Sequence, residues 1–313
     1  MVRACGLAPI TLSVSNPSLF RLFASPYALL TMACLMWAGN WVTARALRFD
    51  SGPNMMALGR WIVASLVILP LAWPHLRRDW PVIRARRWVL VLLSVIGGAG
   101  YNALSYAGVA HTTAINAMLL NATVPFFITG LSWLALREPL RRGQIAGMTL
   151  CFAGAFWVII AGDPARAAVL GFNPGDLIVC LAMLFWAAYT VLVKKHPFAI
   201  HPTSFVAVLS VVSVLALLPL AVWEAGMRPL NLTPTVLACY VYLGIGPSVL
   251  CFLFWNRGVA AIGPNRSGMF LNLVPVLGSA LSAIVLGERP EIHHAIGFAL
   301  VLSGLALGNR GCP

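Results

Sequence analysis

Long apolar runs without charged residues, separated by short polar segments, dominate this chain of 313 residues. A helix that crosses the hydrocarbon core of a bilayer needs about 20 predominantly apolar residues. Applied to the uncharged runs, this length predicts ten membrane-spanning helices. Their predicted ranges are 26–46, 54–74, 87–109, 112–135, 142–162, 174–193, 202–223, 234–256, 264–286 and 293–309. We therefore expect an all-α membrane protein with short connections and no separate soluble domain.

Positive residues are unequally shared between the two sides of the predicted bundle. If the helices alternate in direction, fifteen of the 21 Lys and Arg residues fall on one side and five on the other, and Arg60 lies within a span. Cytoplasmic loops carry the excess of Lys and Arg in membrane proteins. We predict that both termini are cytoplasmic, and that residues 1–25 form a cytoplasmic tail instead of a signal peptide.

The two halves of the chain repeat each other at an offset of 149 to 150 residues. Trp37 corresponds to Trp186, and the letters L-P-L-A at 69–72 recur at 218–221. G-V-A at 108–110 recurs at 258–260, and the same offset continues through four further pairs: Pro125 and Pro275, Glu138 and Glu288, Gly147 and Gly297, Gly154 and Gly304. An offset kept over this distance indicates an internal structural repeat.

Each repeat, 26–162 and 174–309, holds five predicted spans. Because five is odd, the second repeat enters the membrane upside down relative to the first. Inverted repeats of this kind are typical of secondary transporters, whose substrate site lies near the bilayer midplane between the repeats. The pattern therefore favours a transporter, although duplication alone also produces repeats without that mechanism.

The composition agrees with a membrane protein and argues against two other classes. Charged residues make up 9% of the chain and hydrophobic residues 60%, whereas soluble domains carry about 25% charged residues. The net charge of +13 is divided into short clusters between apolar runs, which is typical of loops at an anionic membrane surface and not of a nucleic-acid footprint. Five of the seven cysteines lie inside apolar runs, which favours buried thiols over disulfides or a metal site.

Two prolines at equivalent positions predict breaks in the fourth and ninth helices. Pro125 and Pro275 have no N–H, so the carbonyls of Asn121 and Leu271 lose their helical partners. A bare carbonyl in hydrocarbon must face protein, water or substrate. The prolines are therefore candidates for a helix break or hinge beside a binding site, and the alternative is a packing kink satisfied by neighbouring helices.

Polar and aromatic residues at similar predicted depth are the candidates for a substrate cavity. Amide side chains in a membrane need hydrogen-bonding partners and rarely face lipid, while aromatic rings can stack on a substrate. For residues near span ends, such as Tyr106 and Trp255, the alternative is an interfacial aromatic belt. The candidate lining consists of Trp37, Asn40, Tyr101, Asn102, Trp186, Tyr189, Asn256 and Asn272.

Charged residues inside the predicted spans are rare. Arg60 either has a structural role, reaching a membrane face or a backbone carbonyl, or binds a substrate carboxylate; its repeat counterpart is Leu209, so symmetry gives no support to the second role. All eight acidic residues lie in predicted loops or at helix ends. We therefore predict transport without an obligatory membrane carboxylate, such as facilitated diffusion.

Motifs of enzymes and nucleotide-driven pumps are absent from the sequence. It contains no H-E-x-x-H, no G-x-S-x-G and no Walker loop, so we expect neither enzyme activity nor a cofactor. Small residues instead predict close helix packing, within the chain or across a homodimer. They lie at helical spacing on the fifth helix at Gly143, Gly147 and Gly154, and on the tenth at Gly297, Gly304 and Gly308.

The chain resembles the drug/metabolite transporter superfamily, specifically the ten-helix members with two EamA-type repeats. The residues that carry the resemblance are Arg60, A-L-S-Y-A-G-V-A at 103–110, Pro125, Glu138, Gly147 and Gly154, and then 256–260, Pro275, Glu288, Gly297 and Gly304. The resemblance covers about residues 27–308. It implies that Arg60, Glu138 and Glu288 belong to the framework of the fold.

Within this superfamily, the chain looks most like the YddG-type exporters of aromatic and other neutral amino acids. That resemblance implies a location in the bacterial inner membrane, a central cavity, and export of amino acids or related metabolites. The protein would be a monomer or a homodimer in the bilayer and would bind a small molecule and no nucleic acid. Two alternatives stay open: an exporter of nucleosides, purines or cationic drugs on the same scaffold, and a membrane receptor or scaffold that transports nothing.

Overall fold

The computed structural model describes residues 25–47, 50–112, 120–138, 141–168, 173–227, 231–286 and 292–309. Within these ranges every regular element is helical and no strand occurs, as the apolar pattern predicts. The predicted tail, 1–25, lies outside the described residues except for Ser25.

The long helices follow one another along the chain with short connections. A short helix, Pro164–Ala168, stands between the fifth and sixth. The long helices are α1 Pro26–Leu47, α2 Pro53–Ala85, α3 Arg87–His111, α4 Leu120–Leu136, α5 Arg142–Ile159, α6 Pro174–Lys195, α7 Pro202–Ala225, α8 Pro234–Ile262, α9 with its consecutive segments Pro264–Met269, Phe270–Asn272 and Leu273–Leu286, and α10 Ile292–Asn309.

Six of these helices are long and apolar enough to cross a membrane, namely α2, α3, α5, α6, α7 and α8. Leu120–Leu136 and Ile292–Gly308 are shorter apolar helices. The chain is therefore a multi-pass membrane protein, and the full set of ten spans stays a prediction.

The helix α2 is longer than the apolar pattern predicts. The second span was expected to end at residue 74, where charged residues begin, but α2 continues to Ala85. A charged side chain ends an apolar run without ending the helical hydrogen-bond pattern. Rules based on bilayer thickness therefore underestimate the length of helices that project beyond the hydrocarbon.

Local sequence signals explain where the helices begin. Proline stands in the first turn of α2, α6, α7 and α8, where its missing N–H costs no helical bond. The Asn173 side chain accepts a hydrogen bond from the Asp176 N–H before α6, and Thr233 Oγ1 accepts one from Val236 N–H before α8. These caps satisfy N–H groups that have no partner inside the helix.

The helices α5 and α10 pack against each other as an antiparallel pair at a seam of glycines. A Cβ built on Gly147 would lie 2.6 Å from the Gly304 oxygen, and one on Gly154 would lie 2.8 Å from the Gly297 oxygen. Between them, the Cys151 thiol donates to the Val301 oxygen at 3.4 Å. As the residue number rises along α5, the residue number of the contacting partner in α10 falls. These repeat-equivalent helices therefore run in opposite directions and contact each other within the chain.

The pair α2 and α7 is also antiparallel, and each helix caps the other with a carboxylate. Asp79, near the end of α2, accepts hydrogen bonds from His201 N–H at 2.7 Å and Ser204 Oγ at 2.8 Å at the start of α7. Glu224, near the end of α7, accepts one from Met55 N–H at 2.8 Å at the start of α2. A carboxylate at a helix N-terminus stabilises its free N–H groups and its positive dipole.

The remaining contacts follow the same two-fold exchange of repeats. The helix α1 packs against α8 and α9, and its repeat equivalent α6 packs against α3 and α4. These helices surround the centre of the protein.

Candidate functional site

A small cavity lies between the two repeats and is lined by residues of both. The space open to the centre of a water-sized sphere is about 20 Å³, enough for about one ordered water. Three pairs of repeat-equivalent residues line it: Trp37 with Trp186, Asn102 with Phe252, and Asn121 with Leu271. The complete lining is Trp37, Asn40, Trp41, Arg60, Tyr101, Asn102, Asn121, Trp186, Phe252, Leu271 and Val274.

Arg60 holds the polar side of the cavity together. Its side chain is 2% exposed, and its Nη1 donates to Asn102 Oδ1 at 2.7 Å, to the Tyr106 hydroxyl at 2.9 Å and to Asn40 Oδ1 at 3.2 Å. Its Nε donates to Ser248 Oγ at 2.8 Å. Every one of these partners is neutral, so the hydrogen bonds position the guanidinium without cancelling its charge.

A cluster of aromatic rings forms the opposite wall, with Trp186 at its centre. The Trp37 ring meets the Trp186 ring edge to face, with centroids 5.1 Å apart, and Tyr101 and Phe252 approach Trp186 at 5.0 and 5.5 Å. Edge-to-face and tilted rings at these distances attract each other beyond the gain from burial. The cavity therefore presents an apolar, π-rich surface next to the guanidinium.

The helices α3 and α8 contain π-helical turns at equivalent positions, Val95–Gly100 and Gly244–Leu250. The first turn precedes Asn102, whose Nδ2 donates to the oxygen of Gly98, and the second contains Ser248. A widened turn thus precedes or contains two of the four hydrogen-bonding partners of Arg60, Asn102 and Ser248. Single π-helical turns inside α-helices are frequent at functional sites.

Sequence analysis did not predict these turns, although glycine marks both of them. A Cβ on Gly97 would lie 2.2 Å from the Tyr189 ring, so α3 approaches α6 more closely there than any side chain would permit. The run of glycines at 97, 98 and 100 was the signal available in the sequence.

The breaks near Pro125 and Pro275 lie just before each proline. In α4 a turn occurs at Thr123, and Pro125 is the second residue of the regular segment Val124–Leu136. In α9 the 3₁₀ segment Phe270–Asn272 precedes Pro275 by one turn. Whether either proline acts as a hinge stays a prediction.

The structure brings five of the eight candidate residues to the cavity: Trp37, Asn40, Tyr101, Asn102 and Trp186. The other three lie behind this lining. The Tyr189 hydroxyl donates to Asn256 Oδ1 at 2.9 Å, and Asn272 is fully buried with its Nδ2 3.3 Å from the Met269 oxygen. Sequence reasoning missed Phe252 and assigned Arg60 to the framework instead of the cavity.

Two nitrogen atoms in the lining residues have no hydrogen-bond partner among the described residues, Nε1 of Trp186 and Nδ2 of Asn121. Buried polar groups of this kind are normally satisfied in folded proteins. Within the described ranges, no group of three or more His, Cys, Asp or Glu residues could hold a metal ion. Both nitrogens are donors, so a hydrogen-bond acceptor would satisfy them.

Titratable groups outside the spans gather at one end of the α2 and α7 pair. The His75 and His201 rings stack with centroids 3.7 Å apart, and Asp79 binds the His201 backbone. Burial, followed by the nearby His75, lowers the pKa of His201 below its ordinary value of 6.5. This cluster is separate from the cavity.

Known proteins share both the sequence pattern and the fold. One crystal structure matches this chain with a TM-score of 0.73 and 21% sequence identity. The match covers 91% of this chain and 96% of the chain in that crystal structure. A probable terminal-alkyne amino-acid exporter from Streptantibioticus cattleyicolor is 29% identical over 90% of this chain and 92% of the relative. The aromatic amino acid exporter YddG of Ancylobacter novellus is 29% identical over 74% of this chain and 77% of the relative. Other relatives are described only as uncharacterized transporters.

The profile of the EamA-like transporter family matches residues 24–160 and 173–310. These ranges place one copy of the family pattern in each half, so the resemblance to drug/metabolite transporters is confirmed. The chain belongs to the EamA-like transporter family and is a membrane transporter.

Proposed function

We propose that this protein exports amino acids, both aromatic and other neutral ones, and related small metabolites across the bacterial inner membrane. The carrying observation is the cavity between the repeats, in which amide and guanidinium groups face aromatic rings. Such polar groups bind the charged head of an amino acid, and the rings hold its side chain. Two relatives named as amino-acid exporters support this class.

The proposed topology has ten spans in two inverted repeats with both termini cytoplasmic. The antiparallel packing of α5 with α10 and of α2 with α7 supports inversion, because equivalent helices in an upright repeat would run the same way. The excess of Lys and Arg on one side supports the cytoplasmic assignment.

Transport would proceed by alternating access, with the repeats rocking about the central site. The cavity holds about one water in the present conformation, so it must widen to admit an amino acid. Pro125 and Pro275, which follow the irregular turns of α4 and α9, are the proposed hinges. Within the described ranges no acidic residue lines the cavity, so the substrate gradient itself is the proposed driving force.

Efflux from reconstituted vesicles tests this function. Vesicles loaded with labelled L-phenylalanine should lose it faster with the protein than without, and equally with or without a pH gradient. Strict dependence on the gradient would overturn the proposed driving force. Unlabelled adenosine and a quaternary ammonium dye serve as competitors, because stronger inhibition by either would favour the nucleoside or cationic-drug alternative, and binding without efflux would favour a receptor.

Alanine variants of the predicted amides test the cavity. Asn102→Ala should reduce the efflux rate about tenfold or more, because a hydrogen bond to a charged group contributes about 1.5–3 kcal/mol, and Asn40→Ala and Asn272→Ala should also reduce it. The matched control is Asn231→Ala, which removes an exposed amide in the loop before α8. Full activity of all three variants would show that the predicted site is wrong.

A further inference from the structure

The charge of Arg60 has no acidic partner in the described part of the chain. Its bonds all go to amide and hydroxyl oxygens, and the ion pairs found there involve other residues. An ionised side chain buried in a membrane protein costs several kcal/mol unless a counter-charge or ordered water compensates it. A framework role alone would leave that cost in place.

Three carboxylates of the described residues are already engaged elsewhere. Asp79 and Glu224 cap the starts of α7 and α2, and Glu138 Oε2 accepts hydrogen bonds from Ser132 and Asn265 at 3.0 and 3.1 Å. None of these three carboxylates lines the cavity. The counter-charge for Arg60 therefore has to come from outside the described residues.

The buried side-chain atoms of the lining that have no hydrogen-bond partner among the described residues are donors. Arg60 offers five N–H groups, of which those on Nε and Nη1 are used, while Nη2 makes no hydrogen bond within the described ranges. Trp186 Nε1 and Asn121 Nδ2 are also unpartnered there. The Oδ1 atoms of Asn40 and Asn102, which are acceptors, are occupied by Arg60. Donors around a cation match an oxyanion, above all a carboxylate.

The surroundings hold the guanidinium in place before a ligand arrives. Its partners come from α1, α3 and α8, so three helices fix the orientation of a side chain that belongs to α2. A charged group locked in this way loses little freedom on binding. The aromatic wall around Trp186 then accommodates the apolar part of the same molecule.

We propose that Arg60 anchors the carboxylate of the transported molecule, and that the protein selects aromatic and apolar carboxylates, for which an α-ammonium group adds little. This inference rests on the proposed function and extends it to the chemical class recognised. An ammonium group finds no acidic side chain in the lining, whereas a carboxylate finds a cation and unused N–H groups.

Three ligands separate the groups of an amino acid. Calorimetric titration of the purified wild-type protein with L-phenylalanine, 3-phenylpropanoate and L-phenylalaninamide should give similar affinities for the first two. The amide should bind at least tenfold more weakly, because it lacks the carboxylate. Equal binding of phenylalanine and its amide, or failure of 3-phenylpropanoate to bind, would overturn the proposal.

Variants then assign this preference to Arg60. Arg60→Gln should remove the preference for acid over amide, and Arg60→Lys should keep it with weaker binding. The matched control Arg257→Gln removes an exposed guanidinium of α8 and should leave the ratio unchanged. If Arg60 has a purely structural role, Arg60→Gln should weaken the binding of acid and amide equally, and that result would refute the proposed anchor. If Arg60→Gln does not fold, loss of the preference for the acid in Arg60→Lys would refute the proposed anchor instead.

The outcomes also distinguish this inference from the proposed function. If wild-type vesicles export no amino acid, yet the purified protein binds 3-phenylpropanoate with the preference that Arg60 predicts, the exporter proposal fails and the anchor stands. If L-phenylalanine is exported and its amide competes equally well, the exporter stands and the anchor fails.

Discussion

The two repeats are alike where α5 meets α10 and unlike where they enclose the cavity. At the seam, equivalent positions carry the same residue, Gly147 with Gly297 and Gly154 with Gly304. Each contact is therefore made twice, once on either side of the axis. A Cβ at any of the four would approach a neighbouring atom within 2.8 Å, so the same requirement acts on both repeats.

At the centre, equivalent positions differ in polarity. Arg60 in α2 donates to Ser248 in α8, whereas its counterpart Leu209 in α7 lies against Gly98 in α3, with its Cδ2 3.3 Å from a Cβ built there. The backbone arrangement is repeated, but one copy carries a cation and the other a methyl group. Packing thus preserves the two-fold relation, while the proposed site for a molecule that has no two-fold symmetry departs from it.

The largest effect is expected when a side chain is forced into the seam. Gly147→Leu and Gly297→Leu should each destabilise the fold by about 3 kcal/mol or more, because overpacking a close backbone contact displaces the helices. The midpoint of heat-induced aggregation in detergent measures this. Gly130→Leu is the control, since a Cβ there meets nothing within 4 Å. Tolerance of leucine at only one of the two seam positions would break the equivalence.

A smaller, one-sided effect is expected for two tyrosines next to the cavity. The Tyr106 hydroxyl accepts from Arg60 at 2.9 Å, while the Tyr189 hydroxyl donates to the neutral Asn256. Hydrogen bonds to charged groups contribute about 1.5–3 kcal/mol and neutral ones about 1 kcal/mol. Tyr106→Phe should therefore raise the KM for phenylalanine efflux about tenfold, and Tyr189→Phe about threefold or less. Equal effects would mean that the polar asymmetry has no role in binding.

The smallest effect concerns pH at the end of the α2 and α7 pair where His201 lies. The lowered pKa of His201 means that, as pH falls below about 6.5, the unfolded state binds the proton first and the folded state loses stability. His201→Asn retains a residue suited to a helix start and should flatten the dependence of the unfolding midpoint between pH 7 and pH 5. An unchanged slope would assign the effect to other groups.

Much of the fold follows from the spacing of apolar residues and the offset between repeats. Glycines at 147, 154, 297 and 304 predicted close packing from the sequence alone, because small residues at helical spacing let helix backbones approach each other closely. The extension of α2 to Ala85 was missed, since hydropathy detects the lipid-buried part of a helix and not its end.

The site was harder to predict than the fold. Residue type and depth were sufficient to choose Trp37, Asn40 and Asn102, which line the cavity. The position of Arg60 depends on Ser248, 188 residues away, and on π-helical turns in two helices. Such turns leave only a glycine-rich stretch in the sequence, and hydrogen bonds between distant helices leave no periodic pattern at all.

The near absence of empty space at the centre has a thermodynamic consequence for transport. In the proposed mechanism a ligand binds only the fraction of molecules in which the Trp37 and Trp186 rings have separated. Its apparent dissociation constant would then equal the intrinsic one divided by that fraction. Selectivity would then depend partly on which molecules bind strongly enough to offset the free energy needed to separate the Trp37 and Trp186 rings. Ligands too small to keep these rings apart would be rejected even when their carboxylate fits, and the protein would discriminate by bulk as well as by charge.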